Sequence, residues 1–435
     1  MASPLGKIKM VNTIVVFLRK ITEKGFFHLL LSNILIALSL FGSQILVAKW
    51  ISPTELGLIK SWQTYISILS VFAGLGLSSA VLKISANKDK TNISVYFFTS
   101  LIVLVTGSLI VLFGFLLLLN LNIFTDSQEL IGYLNRYSFI VVLTAINALF
   151  LAHYTGQRKI KEVSKINLFY RLISVTLIIL FTYYFGISGF FFALICGVSL
   201  TLIVYLFLNR EELNFRFFNF SLLKKYPTID YSFNGGILCN GVSQLALGLD
   251  LILLNYFSVD GDVIGYYSFA LLIVMGLSMF TSTIMQIVMP YVTLYEHDLQ
   301  VLYKRYFYYQ KIAILAYGTI FVIALLLTPI IMDWIFLGKY VVSEQFYLPL
   351  FLFWLIKSFS AMPIALFSGV GKMKIIAYGN ILSLCLCVPA YYVGYFYFGV
   401  MGLAYTLVFP PMICFIYYQY YVSKMFVDPR RNSTL

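Results

Sequence analysis

The residues of this sequence able to do more than pack are a handful of charges set inside long apolar runs. Lys357 is the clearest. It lies about 12 residues into the run 345–369, or roughly 18 Å deep at 1.5 Å per residue. That is near the middle of a hydrocarbon core about 30 Å thick, too deep for its ammonium to reach the headgroups easily. It can face a cavity and attract an anion, or it can pair with an internal acid or with backbone carbonyls; the depth favours the cavity. Asp250 is the one acid well inside a run, 231–257. It can titrate or switch partners during a cycle, or serve as a fixed partner for a cation such as Lys60. Lys60, Arg136 and Arg171 lie nearer the ends of their runs, where they either line a cavity or snorkel to headgroups. Trp62 and Tyr65 share a helix face near Lys60, and Trp354 lies three residues before Lys357. An aromatic ring beside a cation suits a sugar, although core packing is the commoner use. The implied chemistry is non-covalent capture of an anionic, ring-bearing molecule.

The elements holding these residues follow from composition. Of 435 residues, 61% are hydrophobic and only 11% charged, against about a quarter charged in a soluble domain. Such a chain cannot cover its own surface with polar groups. Soluble enzymes, disordered proteins and disulfide-stapled secreted domains are excluded. The net charge of +13 points to loop topology rather than to nucleic acid. A spanning helix needs about 20 apolar residues, and twelve such runs are expected at 26–48, 57–82, 94–119, 130–153, 165–186, 188–208, 231–257, 263–291, 309–333, 345–369, 373–397 and 399–422. Residues 1–25 carry Lys7, Lys9, Arg19, Lys20 and Lys24 and read as a cytoplasmic lead-in rather than a cleaved signal. With both termini cytoplasmic, most Lys and Arg fall in inner loops, while the other side carries Glu55, Asp126, Glu129, Asp260, Asp262 and Glu344. The positive-inside rule is then met, and a multi-pass membrane protein with both termini cytoplasmic is expected.

The remaining special residues are less informative. Cys196, Cys239, Cys385, Cys387 and Cys414 lie in apolar runs without framework or ligand spacing, so neither a disulfide nor a metal site is expected. His28, His153 and His297 lack ligating neighbours, and His153 and His297 are expected in solvated roles near cytoplasmic ends. Pro329, Pro363, Pro389, Pro410 and Pro411 all fall in the C-terminal half. They predict kinks there, which either bend that half during gating or, the commoner case, are static.

An internal repeat organises the chain. Gly156-Gln-Arg-Lys-Ile recurs as Gly371-Lys-Met-Lys-Ile, 215 residues on. Gly186-Ile-Ser-Gly189 recurs as Gly399-Val-Met-Gly402 at 213, and Gly57 matches Gly265 at 208. Six spans per half is an even number, so the halves share one orientation about an axis along the membrane normal, with a cavity between them. The expected parts are a cytoplasmic segment 1–25, a six-helix bundle 26–208, an interfacial linker 209–230, a second bundle 231–422 and a cytoplasmic tail 423–435. The linker's mix of Phe with Arg216, Lys224 and Lys225 suits anionic headgroups.

On Pro53-Thr-Glu-Leu-Gly57 with Gly74-Leu-Gly-Leu-Ser-Ser79, on Asp250-Leu-Ile-Leu-Leu-Asn255 with Gly265-Tyr-Tyr-Ser-Phe-Ala270 and Pro290, and on Gly369-Val-Gly-Lys372 with Gly399-Val-Met-Gly402, the chain resembles the polysaccharide transporters of the MOP flippase superfamily. The resemblance is nearest to Wzx-type flippases of O-antigen and related lipid-linked oligosaccharides. It implies an all-α polytopic protein of twelve helices in two six-helix bundles forming a V. It also implies alternating access and export of an undecaprenyl-diphosphate-linked glycan across a bacterial inner membrane. A cationic pathway through Lys357, Lys60, Arg136 and Arg171 would suit the diphosphate, Trp62, Tyr65 and Trp354 would suit the sugar, and Asp250 would serve coupling to H+ or Na+ or a gate. No cofactor is expected. A monomer is expected, together with membrane lipids and a glycan polymerase, chain-length or ligase protein as partners. Two other classes compete. A membrane-embedded glycosyl-transfer enzyme would want large loops or an acid cluster, and neither is present. A cation-coupled multidrug exporter of the same superfamily would favour acids in the first six spans, where the sequence instead supplies Lys60, Arg136 and Arg171. No Gly-x-x-x-x-Gly-Lys-[Ser/Thr] loop occurs, so ATP hydrolysis by that route is excluded.

Overall fold

A computed structural model of the chain describes residues 39, 41–86, 90–210, 213, 218–219, 223, 228–294 and 299–427. The expected N-terminal segment, most of the first span and the linker, His28, His297 and the last eight residues lie outside them.

The protein is an all-α polytopic membrane protein, and its described elements are all helical. Seven helices are individually long and apolar enough to cross a membrane, and two bent pairs, Pro53–Ala73 with Leu77–Ile84 and Gln128–Tyr137 with Ile140–Gly156, raise the number to nine. The Ile160–Leu208 helix is 49 residues long, far more than one crossing needs. It turns back at Gly186, and Ser174 then packs on Gly197 while Asn167 meets Tyr205. These pairs run in opposite directions, as two antiparallel spans require. The same reversal occurs at Gly399, after which Cys414 and Tyr418 return to Gly379. With the first span, which enters the described residues at 41–50, the total is twelve.

The two reversals share one geometry. Gly186 has φ 59°, ψ −142° and Gly399 has φ 61°, ψ −149°. A side chain at these angles is strained, so glycine is required, and the repeat in the sequence becomes a repeat in the backbone. The second span starts at a capping box. Ser52 caps Pro53–Ala73 by accepting from the Glu55 N–H at 3.1 Å, and the Ser52 N–H donates to Glu55 Oε2 at 2.8 Å. That helix packs on the Gly261–Leu294 helix, its repeat partner, with Gly57 against Gly265: a Cβ on Gly57 would come within 2.9 Å of the Gly265 nitrogen. The halves therefore meet backbone to backbone across their pseudo-two-fold axis. In lipid the hydrophobic effect does not drive such contacts. Close packing and polar ties must hold them.

Proline placement departs from expectation. Pro410 and Pro411 lie in the first turn of Phe409–Val427, and Pro363 in the first turn of Ala361–Gly369. An N–H there has no intrahelical acceptor, so these prolines start helices rather than kink them. Pro329, Pro389 and the unremarked Pro349 are internal. The two bent pairs lie in the N-terminal half, at 52° and 48°, around Gly74–Gly76 and around Ser138–Phe139. Neither break contains a proline. His153 also departs from expectation. It is fully buried, with Nδ1 2.9 Å from Ser85 Oγ, Nε2 2.8 Å from Gln157 Nε2, and its ring stacked on Phe97 at 4.1 Å. Gly156 brings the ends of the second and fourth spans together closely enough to enclose it.

Candidate functional site

Lys357 sits in the last turn of the Glu344–Phe359 helix, which Ser360 joins to Ala361–Gly369 with helical backbone angles. Its side chain is exposed and lines a cavity of about 290 Å³. The wall is otherwise hydroxyl-rich, with Ser243, Ser278, Thr281, Ser282, Ser358, Ser360, Asn380, Ser383 and Tyr391. Lys357 Nζ lies 5.5 Å from the Phe353 ring centroid, and Asp250 is the charge that acts on it. Trp354 shows an edge to the cavity but is 1% exposed and packs edge-on against Tyr317.

Asp250 stands behind this cavity rather than in its wall. It is buried; Oδ2 accepts a 2.7 Å hydrogen bond from the Tyr267 hydroxyl, and Oδ1 has no partner. It does not pair with Lys60. Lys60 is buried where the two halves meet, donating to Gln44 Oε1 with Met275 Sδ at 3.8 Å.

Arg171 lines a second cavity, of about 470 Å³, built wholly by the N-terminal half. Thr144, Asn147, Ala148 and Leu151 supply one wall, Asn167, Tyr170, Arg171 and Ser174 the next, and Leu194, Gly197, Val198, Thr201 and Tyr205 the third. Each set follows helical i, i+3, i+4 spacing. Moved forward by 213 residues, ten of these thirteen positions line the Lys357 cavity: 357, 360, 361 and 364, then 380, 383 and 387, then 411, 414 and 418; 384, 407 and 410 do not. The two cavities are thus repeat counterparts, with Asn167 matched by Asn380 and Tyr205 by Tyr418. The cations are not matched: Lys357 corresponds to Thr144, and Arg171 to Leu384. The identical Asn and Tyr at the Gly186–Gly399 offset were a legible signal for the pair of cavities, which charge alone did not reveal.

The other candidates lie elsewhere. Arg136 is exposed in the last turn of Gln128–Tyr137, 6.0 Å from the Tyr137 ring centroid, and lines neither cavity. Trp62 and Tyr65 are core residues: Trp62 packs edge-on against Phe191, and the Tyr65 hydroxyl donates to the Phe124 carbonyl at 3.1 Å.

The face carrying the acidic turns is closed by contacts between halves. Thr54 donates to Asp262, Asn255 donates to Ser61 Oγ at 2.8 Å, and Ser258 donates to Asp126 at 3.0 Å. Lys339 reaches from the turn between the ninth and tenth spans to the end of the first. It donates to the carbonyls of Ala48 and Lys49, each at 3.2 Å, and to that of Ile51; the Tyr340 hydroxyl donates to Ala48 at 3.0 Å. Burial lowers the Lys339 ammonium from its ordinary range, and Glu55 acts in the opposite direction. A cavity of about 340 Å³ lies on this seam between Ser61, Asp126 and Asn255. A cavity thus lies between the halves at the closed end, while the two cation-bearing cavities lie one within each half.

The fold agrees with known transporters. An inward-facing multidrug resistance MATE family transporter of the MOP superfamily superposes with TM-score 0.75 at 17% identity, covering 93% of this chain and 99% of its own. The outward-facing form superposes with TM-score 0.61 at 16% identity, over 91% and 94%. A MOP-superfamily transporter from Pyrococcus furiosus, described as having a binding pocket of reversed polarity, gives TM-score 0.64 at 16% identity, over 92% and 94%. A comparison with curated protein sequences returned no match. A family profile described as polysaccharide biosynthesis protein matches residues 23–296. That match covers well over half of the chain, and with it the chain belongs to the polysaccharide biosynthesis protein family, with the fold of the MOP-superfamily transporters.

Proposed function

We propose that this protein is a flippase that carries an undecaprenyl-diphosphate-linked oligosaccharide, an O-antigen or similar surface-glycan repeat unit, from the cytoplasmic to the periplasmic leaflet of a bacterial inner membrane. One observation carries the reading. Among the described residues, each half holds a cavity with one basic residue in its wall and no Asp or Glu. Anionic cargo is attracted to such walls, whereas cationic drugs are repelled. The family match supports a polysaccharide cargo. The basic loops face the cytoplasm, so the closed acidic face is periplasmic and the cavities await cargo from inside. Asp250, buried with one unpartnered oxygen beside the Lys357 cavity, is the residue through which a H+ or Na+ gradient couples.

The second reading is a cation-coupled multidrug exporter, favoured by the names of structural neighbours such as the MATE family transporter. The deciding experiment uses proteoliposomes loaded with a fluorescent undecaprenyl-diphosphate sugar, scored by protection from an external quencher. Protein-dependent transfer that falls in Lys357→Ala is the expected result. Transport of small organic cations with no lipid-sugar transfer would establish the exporter instead.

A further inference from the structure

We propose that the N-terminal cavity is a separate subsite for an acidic sugar of the cargo, read by Arg171, Asn147 and Asn167, while the Lys357 cavity takes the diphosphate. This rests on the lipid-linked glycan reading above. The two cavities occupy counterpart positions, yet their cations stand on different walls, the fifth span in one and the tenth in the other. They therefore present different chemistry to different parts of one molecule. Lys357 is a mobile point charge among serines, which suits a diphosphate held in several orientations. Arg171 is a planar fork exposed in its cavity, suited to bidentate capture of a carboxylate.

The rest of the N-terminal wall suits a sugar ring. The Asn147 side-chain nitrogen donates to the Val198 carbonyl at 3.0 Å, which fixes the amide, and its Oδ1 is buried without a partner. An acceptor held in this way calls for a hydroxyl donor, because a buried acceptor left unpaired is costly. Asn167 is oriented by the Tyr205 hydroxyl at 3.3 Å. Tyr170, beside Arg171 in the same wall, offers a ring face. At Asn147 the counterpart cavity has Ser360 and at Tyr170 it has Ser383, so the Asn147 amide and the Tyr170 side chain belong to the N-terminal site alone, while Asn167 is shared with Asn380.

The test uses the full-length protein in proteoliposomes and two synthetic cargos on the same undecaprenyl diphosphate, one bearing a uronic acid and one the matching neutral hexose. The expected result is that Arg171→Ala slows the acidic cargo by about tenfold or more, the scale of a lost charge-assisted pair, and changes the neutral cargo less than about threefold. Lys357→Ala slows both. Transfer of the neutral cargo is the internal measure of folding. Should Arg171→Ala fail to fold, Arg171→Lys keeps the charge and removes the fork, and the same selective loss is expected at smaller size. Equal loss of both cargos in Arg171→Lys, no loss of either, or a wild type that moves only the neutral cargo would overturn the subsite and leave the flippase reading standing. A wild type that moves neither cargo would overturn both.

Discussion

Lys357 and Lys60 show why the surroundings of a buried lysine decide its meaning. Both are lysines in apolar spans. One is exposed in a hydroxyl-lined cavity, and the other is enclosed with Gln44 and Met275 as its described partners. Replacing an enclosed charge with an apolar group of similar volume is often neutral or stabilising by about 1–4 kcal/mol. Lys60→Met is accordingly expected to raise the thermal midpoint in detergent, measured by a fluorescence melt. A fall would mean that the ammonium holds the two halves together. Asp250→Asn keeps an acceptor for the Tyr267 hydroxyl but cannot ionise. It is expected to leave the fold intact and to abolish the difference in transport rate with and without a H+ or Na+ gradient. An unchanged gradient dependence in proteoliposomes would move coupling elsewhere.

At the scale of elements, the helix reversals and the breaks outweigh the prolines. Gly186 and Gly399 hold backbone angles that a Cβ makes costly. Gly186→Ala and Gly399→Ala are each expected to destabilise by about 1–3 kcal/mol, read from denaturant unfolding in mixed micelles, with similar costs because the two turns are counterparts. A loss at one position only would mean that the repeat does not extend to energetics.

At the scale of the whole molecule, the acidic face is closed by polar ties between halves, and Lys339 makes several of them. Its ammonium caps the end of the first span from the other half, so these bonds exist only while this face is shut. Lys339→Met combined with Tyr340→Phe is expected to shift the ensemble toward opening of that face. Spin labels at Gln128 and Gln345, both exposed at that end, should report a larger population at long distance by pulsed electron resonance. An unchanged distribution would assign closure to the Gly57–Gly265 contact instead. The sequence by itself determined the all-helical membrane class, the twelve-helix two-half design and the glycines that turn it, because hydrophobic length and obligatory glycine are local properties. Only the tertiary structure decided which side of each span faces a cavity. In lipid the outer surface and the packed core are both apolar, so periodicity does not distinguish them. That is why Trp62 and Tyr65 proved to be core residues, His153 was enclosed, Lys339 became a cap for a distant helix, and Asn147 of the fourth span met Asn167 and Arg171 of the fifth around one cavity.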